Sequence, residues 1–129
     1  MTNTEYLRQH LLKACGYTEA AQSLPDFSSL CSSEWSNTFE QLMRNRMVMG
    51  AFRYGLLHAK GKAEYDRTAA MIKRLLDFQQ TGNTELLVDV ANLCLLEFEE
   101  GRHPLKHFKA HDDREHVKVK QQGGCDERR

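Results

Sequence analysis

The sequence is poor in residues that break a chain, cross-link it or span a membrane. It has 2 prolines in 129 residues and no Val-, Ile- and Thr-rich segment of alternating polarity, which argues against an all-β fold. Its 4 cysteines form no C-x-x-C pair, which argues against a structural zinc knuckle. No apolar run approaches the roughly 18 residues of a transmembrane helix. These absences leave a fold built on non-covalent packing.

An excess of charge of either sign is also absent. The 18 basic and 18 acidic residues give a formal net charge of zero, so a field that would attract nucleic acid or an acidic membrane is not expected. The first residues lack the basic and then apolar segments of a secretion signal. We therefore expect a cytoplasmic protein with no membrane or nucleic-acid partner, in which Cys94 is a small reduced core residue.

Apolar residues recur at helical spacing along most of the chain. This periodicity predicts an all-α fold, a single bundle of four to five helices with a long central helix and a helical hairpin. We place one helical domain in residues 1–116 and a disordered polar tail in residues 117–129. The predicted elements are helices over 4–15 and 18–23, a connector over 24–33, a long helix over 34–58 capped by Ser33, and a hairpin of 63–79 and 84–100 around Gly82.

The helix predicted over 84–100 is apolar around most of its circumference, so its polar residues need partners. Glu85, Asp89 and Asn92 are spaced i, i+4, i+7 and fall within an arc of about 60°. A buried carboxylate is costly unless it is paired, hydrogen-bonded or bound to metal. Three interpretations stay open: a salt bridge to an arginine of the long helix, a Mg²⁺ or Mn²⁺ site on Glu85 and Asp89, or a stripe that faces solvent or an oligomer partner.

The long helix carries the complementary charges. Arg46, Gly50 and Arg53 share one face, and Gly50 leaves room between the two guanidiniums for a ligand or a neighbouring helix. Arginine binds phosphate and carboxylate equally well. These arginines form either a phosphate clamp, with Tyr54 and Asn92 as further ligand-binding residues, or the partners of the acidic stripe.

Two stretches resemble a group of small phage and prophage-type proteins. They are Arg44–Gly55 (RNRMVMGAFRYG) and Thr81–Leu93 (TGNTELLVDVANL), followed by Glu97-Phe98 and His103-Pro104. The resemblance spans about residues 34–113 and implies no particular activity.

The segment ELLVDVAN, residues 85–92, is similar to the second metal-binding motif of the all-α MazG-like nucleoside triphosphate pyrophosphohydrolases. That family holds its metals with E-x-x-E on one helix and E-x-x-D on the next; here the spacing is E-x-x-x-D, and no E-x-x-E precedes it. The resemblance implies a homo-oligomer that hydrolyses nucleoside triphosphates to monophosphate and pyrophosphate. Glu85 and Asp89 would hold Mg²⁺ or Mn²⁺, and Arg46 and Arg53 would bind phosphates.

Two further functions fit the same residues. A non-enzymatic, phage-type accessory protein would bind a small phosphorylated ligand or a host protein with these arginines and without metal chemistry. A structural helical protein would use both stripes for buried ion pairs. The apolar surface left by so small a bundle also suggests a homo-oligomer, such as a dimer.

Overall fold

The computed structural model describes residues 2–14, 26–109 and 116–120, and most of these residues are helical. These residues contain no strand and form α1 (Asn3–Ala14), α2 (Phe27–Ser33), α3 (Asn37–Tyr54), α4 (Arg67–Thr81) and α5 (Glu85–Glu100). The predicted all-α class is confirmed. None of these five helices is both long and apolar enough to cross a bilayer.

The chain divides into two compact units. One comprises Met1–Leu24 with His107–Arg129, and the other comprises Pro25–Lys106. In the first unit, α1 begins at a reciprocal pair: the Glu5 N–H donates to Thr2 Oγ1 at 3.1 Å, and the Thr2 N–H donates to Glu5 Oε2 at 2.6 Å. This capping box sets the helix start within one residue of the prediction. The predicted segment 18–23 and residues 121–129 of the predicted tail lie outside the described residues.

The second unit is organised around α5, which packs against both α3 and α4. The hairpin of α4 and α5 is confirmed, with Gly82 in the left-handed conformation at φ 71°. Only the absence of a side chain makes that conformation inexpensive. The Asn83 side chain then accepts the Glu85 N–H at 3.1 Å, so the next helix starts at once. The turn is therefore short enough to hold α4 and α5 as antiparallel neighbours.

The connector predicted over residues 24–33 is wrong, because Phe27–Ser33 form α2. The Asp26 carboxylate accepts the Ser29 N–H at 3.2 Å, a capping contact that starts a helix even in a serine-rich segment. The predicted cap of the long helix is wrong for the same reason, since Ser33 ends α2. Ser36 caps α3 instead, its hydroxyl accepting the Phe39 N–H at 3.0 Å.

The break between α3 and α4 is longer than predicted. The long helix ends at Tyr54 rather than near residue 58, because Gly55 takes a φ of 105° that leaves the helical region. The next helix begins at Arg67 rather than near residue 63, because the Asp66 side chain caps it by accepting the Ala69 N–H at 3.0 Å. Residues 55–66 therefore form a loop that must be held by contacts other than helix hydrogen bonds.

Very little of the second unit is buried. Among the side chains that the structure describes, Val88 is the one buried apolar residue, at 4% exposed. Cys94 is exposed rather than part of a core, because α3 and α4 leave one side of α5 uncovered. Gly50 does not mark a close approach, since a Cβ there would meet nothing within 4 Å. The sequence also predicts an apolar stripe on the helix expected over 63–79, and its residues are exposed: Tyr65 in the loop, and Ala69, Ile72 and Leu76 on α4.

Alanine substitutions at Gly82 and Gly50 compare a glycine in a left-handed turn with a glycine inside a helix. Gly82→Ala should lower the free energy of unfolding by about 1 kcal/mol, because a Cβ is strained in the left-handed region. Gly50→Ala is the matched control and should raise it by about 0.5–1 kcal/mol, because Gly50 lies inside a helix with open space around it. Urea unfolding followed by circular dichroism measures both, and equal effects would contradict the assignment.

Candidate functional site

Asp89 of α5 lies between two arginines from the flanking helices. Its Oδ1 is 3.2 Å from Arg46 Nη2 of α3, and its Oδ2 is 3.5 Å from Arg74 Nε of α4. The Asp89 side chain is 21% exposed and each arginine side chain 36%. One carboxylate therefore joins three helices at a depth where solvent screens the charges only in part.

Arg46 also holds the second carboxylate of the predicted stripe. Its Nη1 donates to Glu85 Oε1 at 2.7 Å, one helical turn before Asp89. Both Glu85 and Asp89 thus share one guanidinium fork, whose planar shape suits two acceptors. This is the geometry of the salt-bridge interpretation made from the sequence.

Arg74 is the member of this cluster that sequence reasoning missed. The apolar stripe of α4 made its opposite side look like a solvent face, although that side packs against α5. A signal was present: Ala70, Arg74 and Phe78 are spaced four residues apart on one face. Two uncharged residues that flank an arginine at this spacing are typical of a packed face on which the arginine needs a partner.

Asn92, the third residue of the stripe, is 7% exposed. Its Nδ2 donates to the backbone carbonyl of Met43 at 3.1 Å and so ties α5 to the middle of α3. Its Oδ1 is buried and has no hydrogen-bond partner among the described residues. A buried amide oxygen of this kind is normally satisfied by a donor, such as an internal water.

The remaining candidate ligand-binding residues lie apart from this cluster. Arg53 is exposed near the end of α3, about 10 Å along the helix axis from Arg46. Tyr54 is 61% exposed and meets Tyr65 edge to face, with ring centroids 6.3 Å apart. The structure thus joins Arg46, Glu85 and Asp89, with Asn92 one turn on, and leaves Arg53 and Tyr54 in a separate place.

The Arg46 guanidinium already lies between the two carboxylates of the acidic stripe, Glu85 and Asp89. Among the described residues, no group of three or more His, Cys, Asp or Glu side chains is placed to hold a metal ion. Arg46 stands where a cation bound by both Glu85 and Asp89 would have to sit. A metal at these residues would therefore require Arg46 to turn away.

A second cluster lies at the carboxyl end of α5. Glu100 accepts from Lys62 Nζ at 2.8 Å, from Arg67 Nη2 at 2.9 Å and from the His58 N–H at 2.5 Å. An acidic residue is unfavourable at this end of a helix, where the helix dipole is negative. The cations of the loop over residues 55–66 and of the start of α4 offset that cost, and in return Glu100 holds the loop.

The same end of the unit carries a polar groove of about 550 Å³, lined by residues of the loop, the start of α4 and the end of α5. Polar pairs cross it: His58 Nε2 is 3.1 Å from Glu99, and Arg102 is 3.4 Å from Glu64. The sequence signal for this cluster was the run of Glu97, Glu99 and Glu100, which needs cations nearby. Several of the charged side chains that line the groove therefore pair with one another.

Comparison of the chain with protein-family models, with curated proteins and with solved structures finds no match.

Removing the charge of Asp89 should destabilise the fold. We expect Asp89→Asn to lower the free energy of unfolding by about 1–3 kcal/mol, because it leaves Arg46 and Arg74 without their shared anion. The matched control is Asp77→Asn, which breaks the exposed pair with Lys73 and should cost less than about 0.5 kcal/mol. Chemical unfolding of both variants checks this, and equal losses would show that Asp89 is not structural.

Stability should depend on pH through Glu100. The Lys62 hydrogen bond and the His58 N–H lower the pKa of this carboxyl below its ordinary value of 4.5. Its contribution is therefore fully present above about pH 4.5 and is lost as the pH falls through the lowered pKa. Glu100→Gln should remove this part of the acid destabilisation, whereas Glu34→Gln, at an exposed residue away from this cluster, should retain it. Unfolding free energies measured between about pH 3 and 7 test this difference.

Proposed function

We propose that the protein is a non-enzymatic helical binding protein whose unit Pro25–Lys106 docks on another polypeptide through its exposed apolar side chains. One observation carries this proposal: Val88 is the one buried apolar side chain among those described, while many large apolar side chains of the same unit are exposed. The most exposed of those on the helices are Phe52 (89%), Phe98 (63%), Tyr54 (61%), Ile72 (60%), Val48 (58%) and Leu76 (57%).

Large contiguous apolar surfaces are rare on monomers and are typical of binding surfaces. Transferring apolar surface from water to a partner supplies the main driving force for association. The most exposed apolar residues of α3 and α4, such as Phe52, Ile72 and Leu76, lie on the sides of these helices that face away from α5.

Nucleotide hydrolysis in the manner of the MazG-like enzymes is the competing hypothesis. It would need Glu85 and Asp89 free for metal, whereas both bind Arg46. Its phosphate-binding half keeps more support, because the Arg53 side chain is exposed and a guanidinium is suited to a phosphorylated ligand. Binding of such a ligand without turnover would therefore rest on Arg53, with Tyr54 as a further candidate.

A nucleotide titration separates these functions. Ribo- and deoxynucleoside triphosphates with Mg²⁺ or Mn²⁺ should neither release pyrophosphate nor raise the melting temperature, because the acidic stripe is already paired. A ligand at 100 times its dissociation constant would add about 2.7 kcal/mol, which a thermal-shift assay resolves. A shift that needs both metal and nucleotide would contradict the proposal. A metal-independent shift that Arg53→Ala abolishes would instead support phosphorylated-ligand binding.

Co-purification tests the proposed binding to another polypeptide. A tagged full-length chain should retain a second polypeptide, its own copy or a foreign chain, through purification. A bait carrying Phe52→Glu and Leu76→Glu, which places a charge on both outward faces, should lose that polypeptide while keeping its helical circular dichroism. Retention by both baits at equal yield would contradict binding through these faces.

A further inference from the structure

The strongest unassigned feature is the side of α3 that faces away from α5. We define the outer face of α3 by these exposed residues: Thr38, Leu42, Asn45, Val48, Met49 and Phe52. Five of them follow alternating spacings of four and three residues, at positions 38, 42, 45, 49 and 52. This is the repeat that forms a seam between two packed helices, because it keeps one stripe aligned along a neighbouring helix.

No described part of the unit Pro25–Lys106 covers this seam. Phe52 is 89% exposed, Val48 58%, Leu42 45% and Met49 43%. The contacts of α3 with α5 come from its other side, where Met43 accepts the Asn92 hydrogen bond and Arg46 binds Glu85. The seam is therefore a second helix-packing surface on a helix whose first surface is already in use.

We propose that the outer face of α3 packs against the same face of a second copy of the chain, related by a two-fold axis. This rests on the proposed function, since it names the polypeptide that the apolar surface binds. In such an isologous interface, each residue of the seam meets the seam of the partner. The six residues of the face carry no formal charge, and the chain has a net charge of zero, so two copies do not repel each other.

Asn45 favours a second copy over a foreign helix. It lies in the middle of the seam, and its Oδ1 accepts from Gln41 Nε2 at 2.8 Å within α3. A polar amide in an apolar seam is costly unless it meets a matching amide, and a two-fold axis near Asn45 places the partner's own Asn45 there. Such asparagines set the register of helix pairs at a cost in affinity.

The area of the face is of the order that a stable dimer needs. Each partner of a standard interface contributes about 800 Å². Phe52 alone offers on the order of 150 Å². The helix has 18 residues and is about 27 Å long, so the other apolar residues and their polar flanks supply the remainder.

Sedimentation equilibrium of the full-length chain tests this inference. We expect a monomer–dimer equilibrium whose dissociation constant rises about 30-fold or more in Phe52→Glu. Gln79→Glu, the matched control at an exposed polar residue of α4, should leave it unchanged. Asn45→Leu should lower it about tenfold, because the cost of the buried amide is removed. Circular dichroism at low concentration checks that each variant remains helical.

Three results would overturn the inference. A wild-type chain that is monomeric at every concentration would assign the face to another occupant. Dissociation by Leu76→Glu but not by Phe52→Glu would place the interface on α4. An unchanged or raised dissociation constant in Asn45→Leu would remove Asn45 from the seam. None of these affects the proposed lack of catalysis, which pyrophosphate release alone would overturn.

Discussion

The arrangement of α3, α4 and α5 in the second unit depends on the Asp89 carboxylate, which binds an arginine from each of the two flanking helices. Asp89 meets Arg46 on one side and Arg74 on the other, while α3 and α4 do not pack against each other within the described residues. In a unit with so little buried apolar surface, hydrophobic packing alone defines the arrangement weakly. Directional, charge-assisted contacts then carry more of the specificity than they would in a larger core, and Asn92 extends them one turn further along α5.

Helices and turns could be predicted from the sequence more accurately than the burial and the contacts of their side chains. The turn at Gly82 and the end of α5 at Gly101 follow from local chemistry, and both stand where expected. The helix starts at Phe27 and Asn37 were missed because several serines and Asp26 competed as caps, and only hydrogen-bond geometry decides between them. Local sequence patterns favour a helix, a turn or a cap at a given position. They do not predict whether another helix will cover a given face of that helix.

The same limit applies to the candidate site. Spacing alone placed Glu85, Asp89 and Asn92 on one stripe, and pairing with an arginine of the long helix was one of three interpretations that it left open. Spacing could not locate Arg74, because its role depends on which side of α4 turns inward. The outward stripe of α4 and the exposed Cys94 have the same origin. In α4 the side that carries Arg67, Arg74 and Asp77 is partly buried, while the side with Ile72 and Leu76 is exposed. Local amphipathicity favours the opposite arrangement, so the choice is made by tertiary contacts.

The short turn at Gly82 also affects the order in which the contacts of the second unit form during folding. Contacts within the hairpin of α4 and α5 join residues close in sequence, whereas the Arg46–Glu85 contact spans 39 residues. Local contacts close at a small entropic cost and form early, while distant ones form later. We therefore expect Asp89 to meet Arg74 first, inside the hairpin, and α3 to dock afterwards onto a carboxylate that is already oriented.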